Sequence, residues 1–269
     1  MRARECFCAG AIRCLVGGML AASPLACAAA EQPPVPDEFA VTESISLTDR
    51  DEFYLSPSIR YSKLPDQKAF TADADLAYGF TDRFQIETDV PYESINPDSG
   101  SSANGIGDVG VAARYGVVDY RQSPFALDVG LGLTSPTGDH RKDLGDGRVV
   151  LGPSFTASQW LGRVNVELNF AWQRALGNGG TDPQDEYVYN AAVAYPIHHC
   201  FLVLEGNGDT ASRSTKYSLT PELVWKVTEH FELRVAAPIG VTRAAGDYAI
   251  IGGFTIEFDH LFHRPADQN

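Results

Sequence analysis

Phe70-Thr71-Ala72-Asp73-Ala74-Asp75-Leu76-Ala77-Tyr78-Gly79-Phe80 is followed by Thr81-Asp82-Arg83 and then by Phe84-Gln85-Ile86-Glu87-Thr88-Asp89-Val90-Pro91-Tyr92. Successive side chains of a strand point to opposite faces. Phe70, Ala72, Ala74, Leu76, Tyr78 and Phe80 therefore share one face, and Thr71, Asp73, Asp75, Ala77 and Gly79 the other. After a short turn the scheme repeats, with Phe84, Ile86, Val90 and Tyr92 set against Gln85, Glu87 and Asp89. It recurs in Val164, Val166, Leu168, Phe170 and Trp172 against Asn165, Glu167, Asn169 and Gln173. Tyr217, Leu219, Leu223, Trp225 and Val227 stand likewise against Lys216, Glu222 and Lys226. An unbroken period of two is the mark of a strand with unlike faces.

Working outward from this hairpin, the sequence predicts twelve strands, at 52–62, 69–80, 84–93, 108–117, 124–134, 148–158, 164–174, 186–195, 201–207, 215–227, 231–238 and 247–258. Most run for 10 to 12 residues, about the length a tilted strand needs to cross a bilayer. Strands of soluble sandwiches are nearer five or six. The connections alternate in length. Only Thr81-Asp82-Arg83 and Thr228-Glu229-His230 join two of the pairs, whereas 94–107, 135–147 and 175–185 are long and rich in turn formers. The other short-side joints are expected at about five or six residues. Membrane barrels pair short periplasmic turns with longer external loops in this way. Aromatics collect at strand ends: Phe80, Phe84, Tyr195, Phe201, Trp225 and Phe231 at one level, Tyr61, Phe70, Tyr92, Trp172, Tyr187, Tyr217 and Tyr248 at the other. Two such levels are the girdles expected at the two membrane interfaces.

Alternation alone does not say which face is inside, because a lipocalin-like soluble barrel also alternates. The polar face decides. It carries Asp73, Asp75, Glu87, Asp89, Asp108, Asp128, Glu167, Glu205, Glu222, Glu232 and Glu257 with Arg60, Arg114, Arg148, Lys216, Lys226 and Arg234. Small residues such as Ala77, Gly79, Gly110, Ala112, Gly130 and Gly132 sit among them, as a crowded concave wall requires. A closed barrel also leaves no unpaired sheet edge in lipid. The fold expected is an all-β, transmembrane, antiparallel up-and-down barrel of twelve strands over 51–258. Its expected lumen-lining residues are Asp73, Asp75, Glu87, Asp89, Asp108, Arg114, Asp128, Arg148, Glu167, Lys216, Glu222, Glu232 and Arg234.

The ends differ from the barrel. Arg2, Arg4 and Arg13 precede the apolar or small run Cys14–Ala22, Ser23-Pro24 breaks it, and Ala26-Cys27-Ala28-Ala29-Ala30 follows. These are the parts of a secretory signal, so residues 1–30 are expected to be a signal peptide cleaved after Ala28 or Ala30, with lipidation at Cys27 as the rival reading. Residues 31–50 are expected to be a periplasmic lead-in, and 259–269 a C-terminal tail. Four of the five cysteines lie in the leader. The remainder keeps Cys200 alone and has no internal disulfide framework. A net charge of −14 without a basic stripe excludes nucleic acid as a partner.

Gly105-Ile106-Gly107-Asp108-Val109-Gly110-Val111-Ala112-Ala113-Arg114-Tyr115 and Gly132-Leu133-Thr134-Ser135-Pro136-Thr137-Gly138 resemble the MetA-pathway of phenol degradation family. There a Gly-x-Gly-Asp strand start precedes a strand ending in a Leu-x-x-Pro-Thr-Gly-like turn. The resemblance runs from about residue 50 to 258. It implies an outer-membrane transporter, sometimes linked to aromatic compounds, and brings no catalytic residue. The run Tyr248–Phe258 resembles the terminal strand by which such barrels are recognised for insertion, so outer-membrane lipid and the barrel assembly machinery are the expected partners, the latter through 247–258.

The function expected is passive passage of small, aromatic or hydrophobic solutes through a polar, acid-rich lumen in the outer membrane of a Gram-negative bacterium. Twelve strands lie between the filled eight-stranded barrel and the open sixteen-stranded porin; an acidic lumen favours cations if it is wet, and the alternative is that its charges pair across the lumen and mostly plug it. Two rivals stand beside it: a secreted soluble β-barrel that binds a ligand, and an outer-membrane lipid hydrolase. The hydrolase needs a nucleophile and base on one strand. His198, His199 and His230 fall in turns, His140 in a loop, and His260 and His263 in the tail, so no enzyme is expected. His198-His199-Cys200 and His260-x-x-His263 are too few donors for zinc. Gly105-x-Gly107 lacks the following helix of a nucleotide site. No metal or cofactor is expected.

Overall fold

A computed structural model of the protein describes residues 35–120, 123–177, 185–211 and 214–258. The expected signal peptide and C-terminal tail lie outside the described residues. Twelve staves form the wall: β1 (Phe53–Lys63), β2 (Gln67–Thr81), β3 (Phe84–Pro97), β5 (Val109–Val118), β6 (Phe125–Ser135), β7 (Val150–Leu161), β8 (Val164–Ala175), β9 (Asp185–Ile197), β10 (Cys200–Ala211), β11 (Ser214–Thr228), β12 (Phe231–Ala236) and β14 (Tyr248–Phe258). Two short pieces, β4 (Ala103–Ile106) and β13 (Ile239–Gly240), pair back on β3 and on β11 and β14. Each stave is antiparallel to the next in sequence order, and β1 pairs with β14 from Phe53↔Phe258 to Lys63↔Tyr248. That last seam closes the barrel and removes both sheet edges.

Departures from the expected boundaries have local causes. β10 runs on through Gly208-Asp209-Thr210-Ala211, where the alternation of polarity fades but the pairing to β9 and β11 continues. The expected strand 231–238 stops at Ala236 because Pro238 has no N–H to give the ladder. Ala237 instead donates to the Pro221 carbonyl at 3.0 Å. The expected loop 94–107 is largely strand, with β4 returning along β3 from Tyr92↔Ile106 to Ile95↔Ala103.

At one end the joints are two residues at 82–83, 162–163, 198–199 and 229–230, and six at 119–124. Two of these are shorter than expected because β7, β9 and β10 extend toward the turn. Register shifts fall at this same end, at Gly79/Thr81, Gly116/Val118 and Lys226/Thr228, where bulges tighten the twist into the turns. Tyr120 tucks in beneath, its hydroxyl on Ser158 Oγ at 2.5 Å and receiving Asn165 Nδ2 at 3.1 Å. Burial pushes its phenol up to about 12 against those two hydrogen bonds.

The two faces are sorted as the alternation predicts. Leu131 (51%), Leu204 (52%) and Val235 (60%) are exposed on the outer face, while Glu167, Glu205 and Asn165 are wholly enclosed. The apolar side chains are outside and the charges are inside. Phe201 is a correction to the expected girdle: it is 4% exposed and faces inward with Val203, Ala192, Ala194 and Val224. Five apolar residues on the lumen side need a cover, and Phe39 supplies it.

Phe39 belongs to the segment expected to be a periplasmic lead-in. Residues 35–49 instead pass through the barrel interior as a strap. They enter near the short-turn end, where Asp37 receives Lys226 Nζ at 2.6 Å and the Asp37 and Glu38 amides donate to Glu232 at 3.3 and 3.4 Å. The strap then crosses from β12 to β3. Thr42 N donates to Glu205 Oε2 at 2.6 Å, Ile45 N to Glu167, and Thr48 N to Gln85 Oε1 at 2.5 Å. The physical reason is the lumen itself. Backbone amides find acceptors on a ring of inward carboxyls, and each hydrogen bond to a charged acceptor contributes about 1.5–3 kcal/mol. At the root, Gly79 is required. A Cβ there would lie 2.0 Å from the Asp49 carbonyl oxygen, and Asp51 N donates to the Gly79 carbonyl at 2.8 Å.

Candidate functional site

The site is the lumen above and around the strap. Its walls are unlike. On β7 to β11 a neutral ladder runs at one level: Asn169 Nδ2 donates to Thr156 Oγ1 (3.2 Å), Asn190 to Asn169 (3.1 Å), Asn207 to Asn190 (3.3 Å), and Thr220 Oγ1 to Asn207 (2.8 Å). The cross-strand register Thr156↔Asn169, Asn169↔Asn190 and Asn190↔Asn207 aligns these side chains. A ladder of satisfied amides makes that wall rigid. On β2 and β3 the wall is acidic. Asp75 stands directly opposite Asp89, with Asp73 and Glu87 on the same inward face.

Arg114 ties the strap to the wall. Its guanidinium, 5% exposed, pairs with Glu43 at 2.7 Å, with Glu87 at 3.1 Å and with Asp128, and donates to the Ser44 carbonyl. A guanidinium with this many acceptors is the fork-shaped donor that enclosed carboxylates require. The strap tip is thus held from two sides, by Glu205 on β10 and by Arg114 on β5.

Beside the strap lies a cavity of about 560 Å³. Asp37, Glu38, Glu43, Asp73, Asp75, Glu87, Asp89 and Glu257 line it against Arg60, Arg114 and Arg234. Eight acids stand there against three bases. A smaller cavity of about 240 Å³, also touching Glu43 and Arg114, runs along the amide ladder. At the long-loop end a third, of about 360 Å³, is lined by His140, Asp146, Arg148 and Glu186.

Of the residues expected to line the lumen, Asp73, Asp75, Glu87, Asp89 and Arg114 surround the larger cavity together with Arg234. Asp128, Glu167, Glu222 and Glu232 lie on the same face but are enclosed, three of them engaged with Arg114 or the strap. Lys216 stands near the long-loop end, paired with Asp209 at 2.7 Å. Arg148 belongs to the outer cavity. Asp108 lies off the strands: its carboxylate accepts the Gly138 and Asp146 amides at 2.8 and 2.7 Å and so staples the loop between β6 and β7. The strap residues Glu38, Glu43 and Thr42, and Tyr54, Gln85, Asn190 and Asn207 on the wall, were not among the expected site residues. A signal for the strap does exist in the inward apolar set Phe201, Val203 and Val224, which interrupts an otherwise polar face.

Solved structures share this architecture. A crystal structure of the COG4313 outer membrane channel from Pseudomonas putida F1 aligns with a TM-score of 0.67 at 15% identity, covering 82% of this chain and 99% of that one. The KdgM porin aligns at 0.54 and 12% identity over 76% and 99%, and the NanC porin at 0.53 and 10% over 76% and 98%. These likenesses are of fold. No curated protein sequence matches the chain. The model of the family described as "Putative MetA-pathway of phenol degradation" matches residues 58–258, and the chain belongs to that family.

Proposed function

We propose that the protein is an outer-membrane channel that lets small solutes pass by diffusion and prefers cations. The observation that carries this reading is the inverted barrel: apolar side chains outside, where hydrocarbon would meet them, and an acid-lined cavity inside beside a strap that narrows the bore. An excess of carboxylates along a wet passage raises the local cation concentration and repels anions. The family and the channel and porin neighbours support the channel reading. They leave the solute open.

The narrower expectation of aromatic or hydrophobic solutes rests on the family description. Phe39 and Tyr54 are the aromatic rings at the larger cavity, and Phe39 is spent on the apolar patch of β9 to β11. We therefore give charged and polar solutes first place. On this reading β14, which closes on β1, is the strand presented to the assembly machinery.

Planar bilayers with a KCl gradient test the reading. Insertion should give discrete current steps and a reversal potential on the cation side. Absence of current, or a reversal potential on the anion side, would overturn it.

A further inference from the structure

Four cavities follow one another along the barrel by sharing walls. At the short-turn end a cavity of about 430 Å³ is bounded by the turn residues Asp82, Asp119 and Glu229. It has Asp37, Ser46, Leu47 and Glu257 in common with the 560 Å³ cavity. That cavity in turn shares Glu43, Glu87, Ala112, Arg114 and Gly132, among others, with the 240 Å³ cavity on the amide ladder. Toward the long loops the 240 and 360 Å³ cavities have Val150 and Gln173 in common. Among the described residues Gln173 alone borders all three of the upper cavities.

The register explains how one side chain reaches so far. Gln173 lies on the inward face of β8, four residues beyond Asn169 of the amide ladder. On one side its partner is Glu186 of β9, on the wall of the 360 Å³ cavity. On the other side its Cγ would stand 3.5 Å from a Cβ at Gly152. Gly152 pairs with Gly132, Gly132 with Ala112, and Ala112 with Glu87. Three small residues in one cross-strand row thus separate the Gln173 amide from the Glu87 carboxylate, and Glu43 of the strap borders the same space. Bore width and the donors and acceptors that line it decide what a passage admits. We infer that solutes move along this chain of cavities and that Gln173 is its neck and specificity-determining residue. Its uncharged amide, both donor and acceptor, sets the size limit, and the acids beyond it sort by charge. The inference rests on the channel reading and names the point on the path where passage is decided.

Single channels of the full-length protein in planar bilayers with KCl test it. Gln173→Cys is made in a Cys200→Ser background, and a charged methanethiosulfonate reagent is added after insertion, so that one channel reports before and after. Conductance should fall at least twofold on modification, and Gln173→Trp should lower it without reagent. Gln173→Lys should weaken the cation preference. Trp172→Cys in the same background, one residue away with its side chain on the outer face, should keep its conductance in the reagent. Heat-modifiable gel migration checks folding. If Gln173→Trp does not fold, modification after insertion decides the matter alone. Unchanged conductance once mass spectrometry shows the Gln173→Cys thiol modified, an equal fall with Trp172→Cys, or full cation preference in Gln173→Lys would overturn the neck and leave the channel. A parent without current would sink the channel reading and the neck with it.

Discussion

The backbone N–H of Thr42 meets the Glu205 carboxylate at 2.6 Å, joining the strap to β10 across 163 residues of sequence. The same chemistry recurs at Ile45 with Glu167 and at Thr48 with Gln85. Extended backbone crossing a barrel must satisfy its amides without a neighbouring strand, and here inward carboxyl and amide side chains do so. The acids that give the lumen its charge therefore serve two ends: those of β8, β10 and β12 hold the strap, and those of β2 and β3 remain turned to the cavity.

Glu205→Leu removes one acceptor and leaves the Thr42 amide enclosed without it. An unsatisfied buried donor costs about 1–3 kcal/mol. Hydrogen exchange at residues 41–48 should speed up at least tenfold, with the strand amides of β1 to β3 unchanged. Equal protection in the variant would show that the carboxylate does not hold the strap.

Arg114→Met leaves Glu87, Asp128 and Glu43 without their common cation. Breaking an enclosed ion network by removing one partner costs about 3–5 kcal/mol. The denaturant midpoint should fall, and adding Asp128→Asn should recover part of the loss. A midpoint within error of the parent would mean that the lumen water already screens these charges.

Gly79→Ala places a methyl 2.0 Å from the Asp49 carbonyl oxygen. Backbone cannot yield as a flexible side chain does, so the strap root must shift. Single-channel conductance should rise or become noisy while the barrel remains heat-modifiable. Unaltered traces would mean that the strap root does not bound the conducting path.

How far these relationships could be read beforehand depends on the residue. The staves were legible because Leu168, Phe170 and Trp172 alternate with Glu167, Asn169 and Gln173, and a period of two survives without any knowledge of partners. The faces were legible because charged residues fill one set. The strap was not, since Val35–Asp49 has no period and its partners are distant side chains. Phe201 could have given it away: an aromatic on the charged face asks for an apolar cover. The asparagine ladder needs the register of two strand pairs, β8–β9 and β9–β10, which fixes Asn169, Asn190 and Asn207 at one level. Asp108 continues the alternation of β5 in the sequence, but the register along β3 slips by one residue between Ile106 and Gly110 and its carboxylate takes amides of the loop.

Asp108→Ala should free that loop without touching the sheet. Trypsin then gains access to the backbone at Arg141 and Lys142, which the loop holds in the short helical turn His140–Lys142. Cleavage there should accelerate several-fold at an unchanged barrel melting temperature. A drop in melting temperature with no faster cleavage would place Asp108 in the barrel wall after all.

The central claim is that hydrocarbon meets the apolar face and water the charged one. Cysteine labelling in reconstituted membranes reaches it most directly, using Leu131→Cys and Asp89→Cys, each in a Cys200→Ser background. Leu131 is 51% exposed on the outer face, and Asp89 lines the larger cavity. The Leu131→Cys thiol should react with a lipid-soluble reagent and resist a charged, water-soluble one, and the Asp89→Cys thiol should do the reverse. The opposite pattern would contradict it.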